Sequence, residues 1–232
     1  MLGVNYNYRV IENDRCALYG IGGVNMSKVL VVVDMQNDFV DGSLGSAQAF
    51  GIVSRVRKKI EKCIEMGDGL IFTMDTHGED YLKTREGENL PVKHCIKGTD
   101  GWNIVKELAV FLPGNKEDIN KKDSKKKHTD SKQEVTIDTK KVKVIEKNTF
   151  GSLELPKFVK DYDEIELVGI CTDICVISNA ILLKTFYPEK IIEVDASCCA
   201  GTTPESHDNA ISAMKSCQIR ILREKSTDKW WI

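Results

Sequence analysis

Ile165-Glu166-Leu167-Val168-Gly169-Ile170-Cys171-Thr172-Asp173-Ile174-Cys175-Val176-Ile177-Ser178 carries two patterns in succession. An apolar run too short for a core helix comes first, then a Thr-Asp break, then apolar residues at helical spacing through Leu183. This order predicts a buried parallel strand that turns into a helix, with Cys175 in its first turn. A helix N-terminus presents unpaired N–H groups and the positive end of the dipole, which lower a thiol's pKa and offer donors to an oxyanion. The position therefore suits a nucleophile; a buried cysteine packed as a small hydrophobe is the competing reading.

Upstream, Val29-Leu30-Val31-Val32-Val33 reads as a central strand covered on both faces, and it ends at Asp34. In open parallel sheets the ligand crevice lies outside the carboxyl ends of the strands, so Asp34 stands at its floor, as a base or as a cap for the next turn. Ile52 to Met66 has helical spacing and stops at Gly67. The strand Gly69 to Met74 is followed at once by Asp75-Thr76-His77, then by a polar loop with Glu79, Asp80, Glu86 and Glu88, then by His94. These are the N and O donors that Zn²⁺, Mn²⁺ or Fe²⁺ prefers, although a solvated acidic loop has the same composition. Asn103 to Leu112 reads as a short helix. Val142 to Ile145 is a strand with Lys147 just past it, where a surface lysine is the plain alternative. A helix over Leu153 to Tyr162, a strand over Lys190 to Val194, a loop from Asp195 to Thr203, a helix opened by Pro204 and a strand over Gln218 to Leu222 complete the chain. The alternation implies an α/β fold with a doubly wound, six-stranded, mostly parallel sheet and helices on both faces.

At 232 residues the chain can bury a single sizeable core, and a net charge of −2 argues against a nucleic-acid partner. Eight cysteines without a CxxC pair read as reduced thiols of a cytoplasmic protein. No signal-like or membrane-spanning apolar block occurs, so a soluble protein with no membrane partner is expected. Residues 1–26 lack periodicity and read as an N-terminal extension to a domain over 27–232. From Pro113-Gly114 to Lys141 the composition of Lys, Asp, Ser and Thr predicts a Lys-rich surface insertion, whose run Lys125-Lys126-Lys127 reads as solvent-facing.

A carboxylate, an ammonium and a thiol thus stand at three separate strand ends: Asp34, Lys147 and Cys175. The motifs Val-Val-Asp34-Met-Gln-Asn-Asp-Phe39, Glu146-Lys147-Asn-Thr-Phe150-Gly and Gly169-Ile-Cys171-Thr-Asp173-Ile-Cys175-Val together resemble the isochorismatase-like cysteine hydrolases, over nearly all of Lys28 to Leu222 except the insertion. That resemblance implies Cys175 as nucleophile, Asp34 as base, Lys147 as their electrostatic partner, and an oxyanion hole from the N–H groups of Cys171 and Cys175 beside a cis Ile170–Cys171 peptide. Within the family, nicotinamidases carry a metal site that Asp75, His77 and His94 match, with Glu86 as fourth ligand and Glu79 as competitor. The implied activity is hydrolysis of nicotinamide through a thioester, with a divalent ion holding the pyridine nitrogen and a homo-oligomer, dimer or tetramer, as the assembly. Another small amide, a ureido compound or an isochorismate-type ether is the alternative substrate, and a noncatalytic binding module the reading from another class. Where nicotinamidases place an aromatic residue before their Pro-Pro-His segment, this chain has Pro91-Val92-Lys93, so Phe39 and Phe150 are the expected ring contacts.

Overall fold

The computed structural model describes residues 26–114 and 142–223; apart from Met26, Pro113 and Gly114, the expected extension and insertion lie outside them. Six strands form one sheet: β1 (Lys28–Val33), β2 (Gly69–Asp75), β3 (Val142–Lys147), β4 (Glu164–Ile170), β5 (Ile191–Ala200) and β6 (Arg220–Leu222). Their order is β3-β2-β1-β4-β5-β6, and every neighbouring pair is parallel. From β1 the chain winds outward to β2 and β3, then returns to β1's other side for β4. The ends of β1 and β4 therefore flank the switch point, where an open α/β sheet leaves its crevice.

Alternation along β1 assigns its residues to two cores. Leu30 and Val32 pack with α2 (Ala47–Glu65) through Ile52, Val56 and Ile60, while Val29, Val31 and Val33 join the layer of α5 (Leu155–Val159), α6 (Ile177–Phe186) and α7 (Pro204–Ser216). Short helices occupy the loops: α1 (Asn37–Val40), α3 (Arg85–Asn89) and α4 (Lys106–Ala109), with α1 and α4 packed on α2's side of the sheet through Phe39, Val40 and Leu108. Helix α2 begins five residues before the expected Ile52, because Ser46 caps it by accepting from Ala49 N–H at 3.1 Å. No helix among the described residues is long and apolar enough to cross a membrane.

Three sequence expectations need correction. The expected helix over Asn103 to Leu112 shrinks to α4, because Ile104 forms an antiparallel bridge with Gln36 and Val105 N–H donates to Met35 O, which holds both residues extended. The helix expected over Leu153 to Tyr162 is the shorter α5. The expected loop after Val194 is instead strand: after a register shift, Cys199 and Ala200 pair with Gly169 and Ile170.

A buried ionic network, unforeseen in the sequence, lies under α2. Lys28 meets Glu166 at 2.8 Å and Glu193 at 3.0 Å, besides Glu164; Lys59 of α2 meets Asp195 at 2.8 Å, besides Glu166. Arg220 and Arg223 close it on Glu193 and Asp195. Burial and the adjacent Glu164 push the Glu193 carboxyl up to about 7. Burial acts upward on Asp195 too, but Lys59, Ser197 and Arg223 outweigh it and hold that carboxyl below its usual range.

Gly169, next to the last residue of β4, has φ +121° and leaves no room for a side chain: a Cβ there would lie 2.1 Å from Val33 O. Gly169→Ala should therefore force β4 away from β1. We expect a loss of at least about 3 kcal/mol in urea unfolding, with activity lost alongside; an unshifted midpoint would show that the strands give way freely.

Candidate active site

Asp34 follows β1 directly. It is wholly buried, with φ +49°, a left-handed conformation that a non-glycine residue adopts at a cost. Its Oδ1 accepts from Thr73 Oγ1 at 2.6 Å, and its Oδ2 lies 2.6 Å from Lys147 Nζ. Lys147 closes β3, in register with Asp75 at the end of β2. Its Nζ also lies 3.6 Å from Cys175 Sγ and 3.5 Å from Asp75 Oδ1. The three residues read from separate strand ends thus converge. Cys175 sits in a single π turn (Thr172–Val176) that leads into α6, rather than in the first turn of an ordinary α-helix. Wide turns of this kind recur at functional sites. The Ile170–Cys171 peptide just before it is cis, as the resemblance implied.

The electrostatics differ from the sequence expectation. Burial, then the charge of Asp34, push the Cys175 thiol well above its ordinary range, and Lys147 opposes them without prevailing. The dipole argument for a lowered thiol is thereby overturned: desolvation of a buried thiolate outweighs it. Burial likewise pushes Asp34 up against the pull of Lys147 and Thr73. For Lys147, burial acts downward, but Asp34, Cys175 and Asp75 together raise it and keep it an ammonium. The site thus places a thiol, a carboxyl group and a cation together, with Lys147 in reach of both partners.

On the far side of Lys147, one donor atom each from Asp75, His77, Glu86 and His94 lies within 4.8 Å of all the others. His77 Nε2 is 2.9 Å from Asp75 Oδ2 and 3.7 Å from Glu86 Oε1, and His94 Nε2 is 3.5 Å and 3.7 Å from the same two oxygens. Donors around one tetrahedral ion with bonds of about 2.1 Å stand about 3.4 Å apart, so two imidazoles and two carboxylates at these separations fit a divalent transition ion. His94 Nδ1 lies 2.8 Å from Val92 O, the outer anchor that leaves Nε2 facing the cluster. Glu79 is excluded: it is exposed and meets Lys93 at 3.1 Å. Glu86→Gln should accordingly weaken zinc binding at least tenfold in a competition titration, with Glu79→Gln unchanged; equal effects would undo the assignment of Glu86.

Phe39 is buried with its ring 5.4 Å from that of His94, whereas Phe150 is half exposed and its carbonyl accepts from Asn179. The structure also adds residues that the sequence reading passed over. Gln36 accepts from Asp75 N–H at 2.7 Å and donates to Asp75 O at 2.8 Å, fixing the end of β2. Tyr81 is buried against both imidazoles, with ring centroids 4.6 and 4.9 Å away. Thr73 had a legible signal, a hydroxyl inside an apolar strand; Tyr81 had none.

A doubly wound sheet whose switch point gathers a thiol, a carboxylate and a lysine defines a class of hydrolases, and the model of the isochorismatase domain matches residues 28–124 and 120–225: the chain belongs to the isochorismatase family. It is 27% identical over 195 residues to the uncharacterized isochorismatase family protein PncA of Bacillus subtilis, across 81% of this chain and 93% of that one. It is 23% identical over 224 residues to the nicotinamidase of Schizosaccharomyces pombe, across 84% and 93%. The structure of pyrazinamidase/nicotinamidase from Streptococcus mutans superposes with a TM-score of 0.68 at 26% identity, covering 84% of this chain and all of that one. The pyrazinamidase of Pyrococcus horikoshii in complex with zinc shares the fold, with a TM-score of 0.64 at 23% identity over 85% of this chain and 99% of that one.

Proposed function

We propose that this chain is a cysteine-dependent amidase whose substrate is nicotinamide. The observation that carries the reading is the position of Lys147 Nζ, in contact with Asp34, Cys175 and Asp75 at once, so that the nucleophile and the metal-ligand set share one wall. Sγ of Cys175 attacks the amide carbon as Asp34 takes the thiol proton, and Lys147 stabilises the carboxylate before transfer and the sulfur afterwards. The tetrahedral oxyanion is received by the N–H groups of Cys171 and Cys175, each worth about 3 kcal/mol by analogy with other oxyanion holes. Asp34 returns the proton to the departing ammonia, then draws one from water, which cleaves the thioester and frees the acid, and hands that proton to the departing sulfur. Asp75, His77, Glu86 and His94 would hold a divalent ion, zinc or else manganese or iron, that supplies a Lewis acid for the ring nitrogen of a pyridine carboxamide. Phe39, against His94, would line the ring's pocket, and Phe150 would meet the ring from the other side.

The test is ammonia release from nicotinamide, pyrazinamide and a carbamoyl amine, with and without chelator. Release from nicotinamide that disappears on chelation and returns with zinc is the expected result. Turnover of the carbamoyl amine alone, indifferent to chelator, would assign the site to the ureido branch instead.

A further inference from the structure

His207 is a buried imidazole outside the chemistry described so far. Its Nδ1 shares a hydrogen bond with Thr172 Oγ1 at 2.8 Å, and Thr172 is wholly buried, three residues before Cys175 in the nucleophile's own turn. The neighbouring Asp173 accepts from Thr202 N–H at 2.9 Å and from Thr202 Oγ1 at 2.5 Å. All of these contacts run from the π turn to the junction of β5 and α7, a different part of the chain. The junction is tight: a Cβ on Gly201 would stand 2.9 Å from His207 Cβ and 3.0 Å from Asp173 Oδ1. On the opposite side, Asn179 donates to Cys175 O at 2.8 Å and accepts from Ser152 N–H at 2.9 Å, which ties the turn to the loop after Lys147.

The turn carrying the nucleophile is thus held from two sides, and the contact beneath it is polar where packing alone would suffice. The other inward residues of α7 are apolar, namely Ala210, Ile211 and Met214, so the hydroxyl–imidazole pair is a directional polar contact among apolar neighbours. A side chain that must meet a lysine at 3.6 Å and a carboxylate beside it gains from a turn with one allowed orientation.

We propose that Thr172 and His207 act as a pair of positioning residues that set the angle of the Cys175 turn. The inference rests on Cys175 being the nucleophile, and its test separates from the substrate assignment because iodoacetamide, itself a small amide, reports on the thiol directly. Thr172→Val, which keeps the shape and removes the hydroxyl, is expected to slow carbamidomethylation of Cys175 at least about tenfold and to lower kcat for nicotinamide similarly, while KM and zinc content hold. Thr172→Ser should restore both rates to near the parent values. His207→Leu should match Thr172→Val, and the double variant should be no slower than either single one.

Normal alkylation of Thr172→Val with only a lowered Tm would overturn the proposal, as would single losses that multiply in the double variant. Should His207→Leu fail to fold, the two Thr172 variants decide the matter. If the parent protein leaves nicotinamide intact, the substrate assignment falls and the alkylation rates still judge the pair.

Discussion

Cys175→Ala is expected to release no ammonia from nicotinamide above background, a drop of at least about 10⁴-fold in kcat, while folding and zinc content stay as in the parent. The separation follows from what the sulfur touches. Its substitution removes one buried atom from an apolar neighbourhood that includes Val176 and Ala180, at a cost of about 1 kcal/mol. Lys147 keeps Asp34 at 2.6 Å, so no buried charge is stranded, and the donors at Asp75, His77, Glu86 and His94 are not disturbed. Loss of activity with intact circular dichroism and metal content therefore isolates the covalent step. Measurable turnover in this variant would remove the thioester scheme.

Lys147→Met is expected to fail in a different way, losing both activity and stability. Without the ammonium, Asp34 is a buried carboxylate left with the Thr73 hydroxyl and the Cys175 thiol and no countercharge in contact, and breaking a buried ion pair from one side costs about 3–5 kcal/mol. For a chain of this size that lowers Tm by about 10 °C. The sign with pH is fixed by the direction of the shift. Burial already raises the Asp34 carboxyl, and removal of Lys147 raises it further, so the folded state binds a proton that the unfolded state releases. Stability is thus retained at low pH and lost as pH rises, and the deficit measured by calorimetry should widen toward alkaline pH. The double variant Asp34→Asn, Lys147→Met should recover most of the lost Tm without recovering activity. A single Lys147→Met variant as stable as the parent at all pH values would mean that Asp34 is not held as an ion in the native state.

The alternation of strand and helix was legible because the central strands β1 and β2 are buried on both faces and read as near-continuous apolar runs, as Val29 to Val33 does. The end of β5 was not, since Asp195-Ala196-Ser197-Cys198-Cys199-Ala200 lacks β-branched residues and its extension is imposed by pairing with Gly169 and Ile170. The donors Asp75, His77, Glu86 and His94 could be collected from a short span, but the choice of Glu86 over Glu79 needed the fold, which turns Glu79 outward toward Lys93. The direction of the Cys175 thiol's shift was misjudged for a related reason. The dipole of a helix end is a local property readable from sequence, whereas the desolvation that outweighs it at Cys175 depends on everything packed around the turn.

The charges beneath α2 bear on how this chain can diverge. Glu166 answers to both Lys28 and Lys59, which also serve Glu193 and Asp195, so replacing any one of the three unbalances a buried set of charges, and the intermediate of a two-step exchange is poorer than either endpoint. Inherited change at these positions should arrive as matched sets, with long intervals of stasis between them. At the solvent-exposed pair Lys157 and Glu154, by contrast, either member can drift first at almost no penalty.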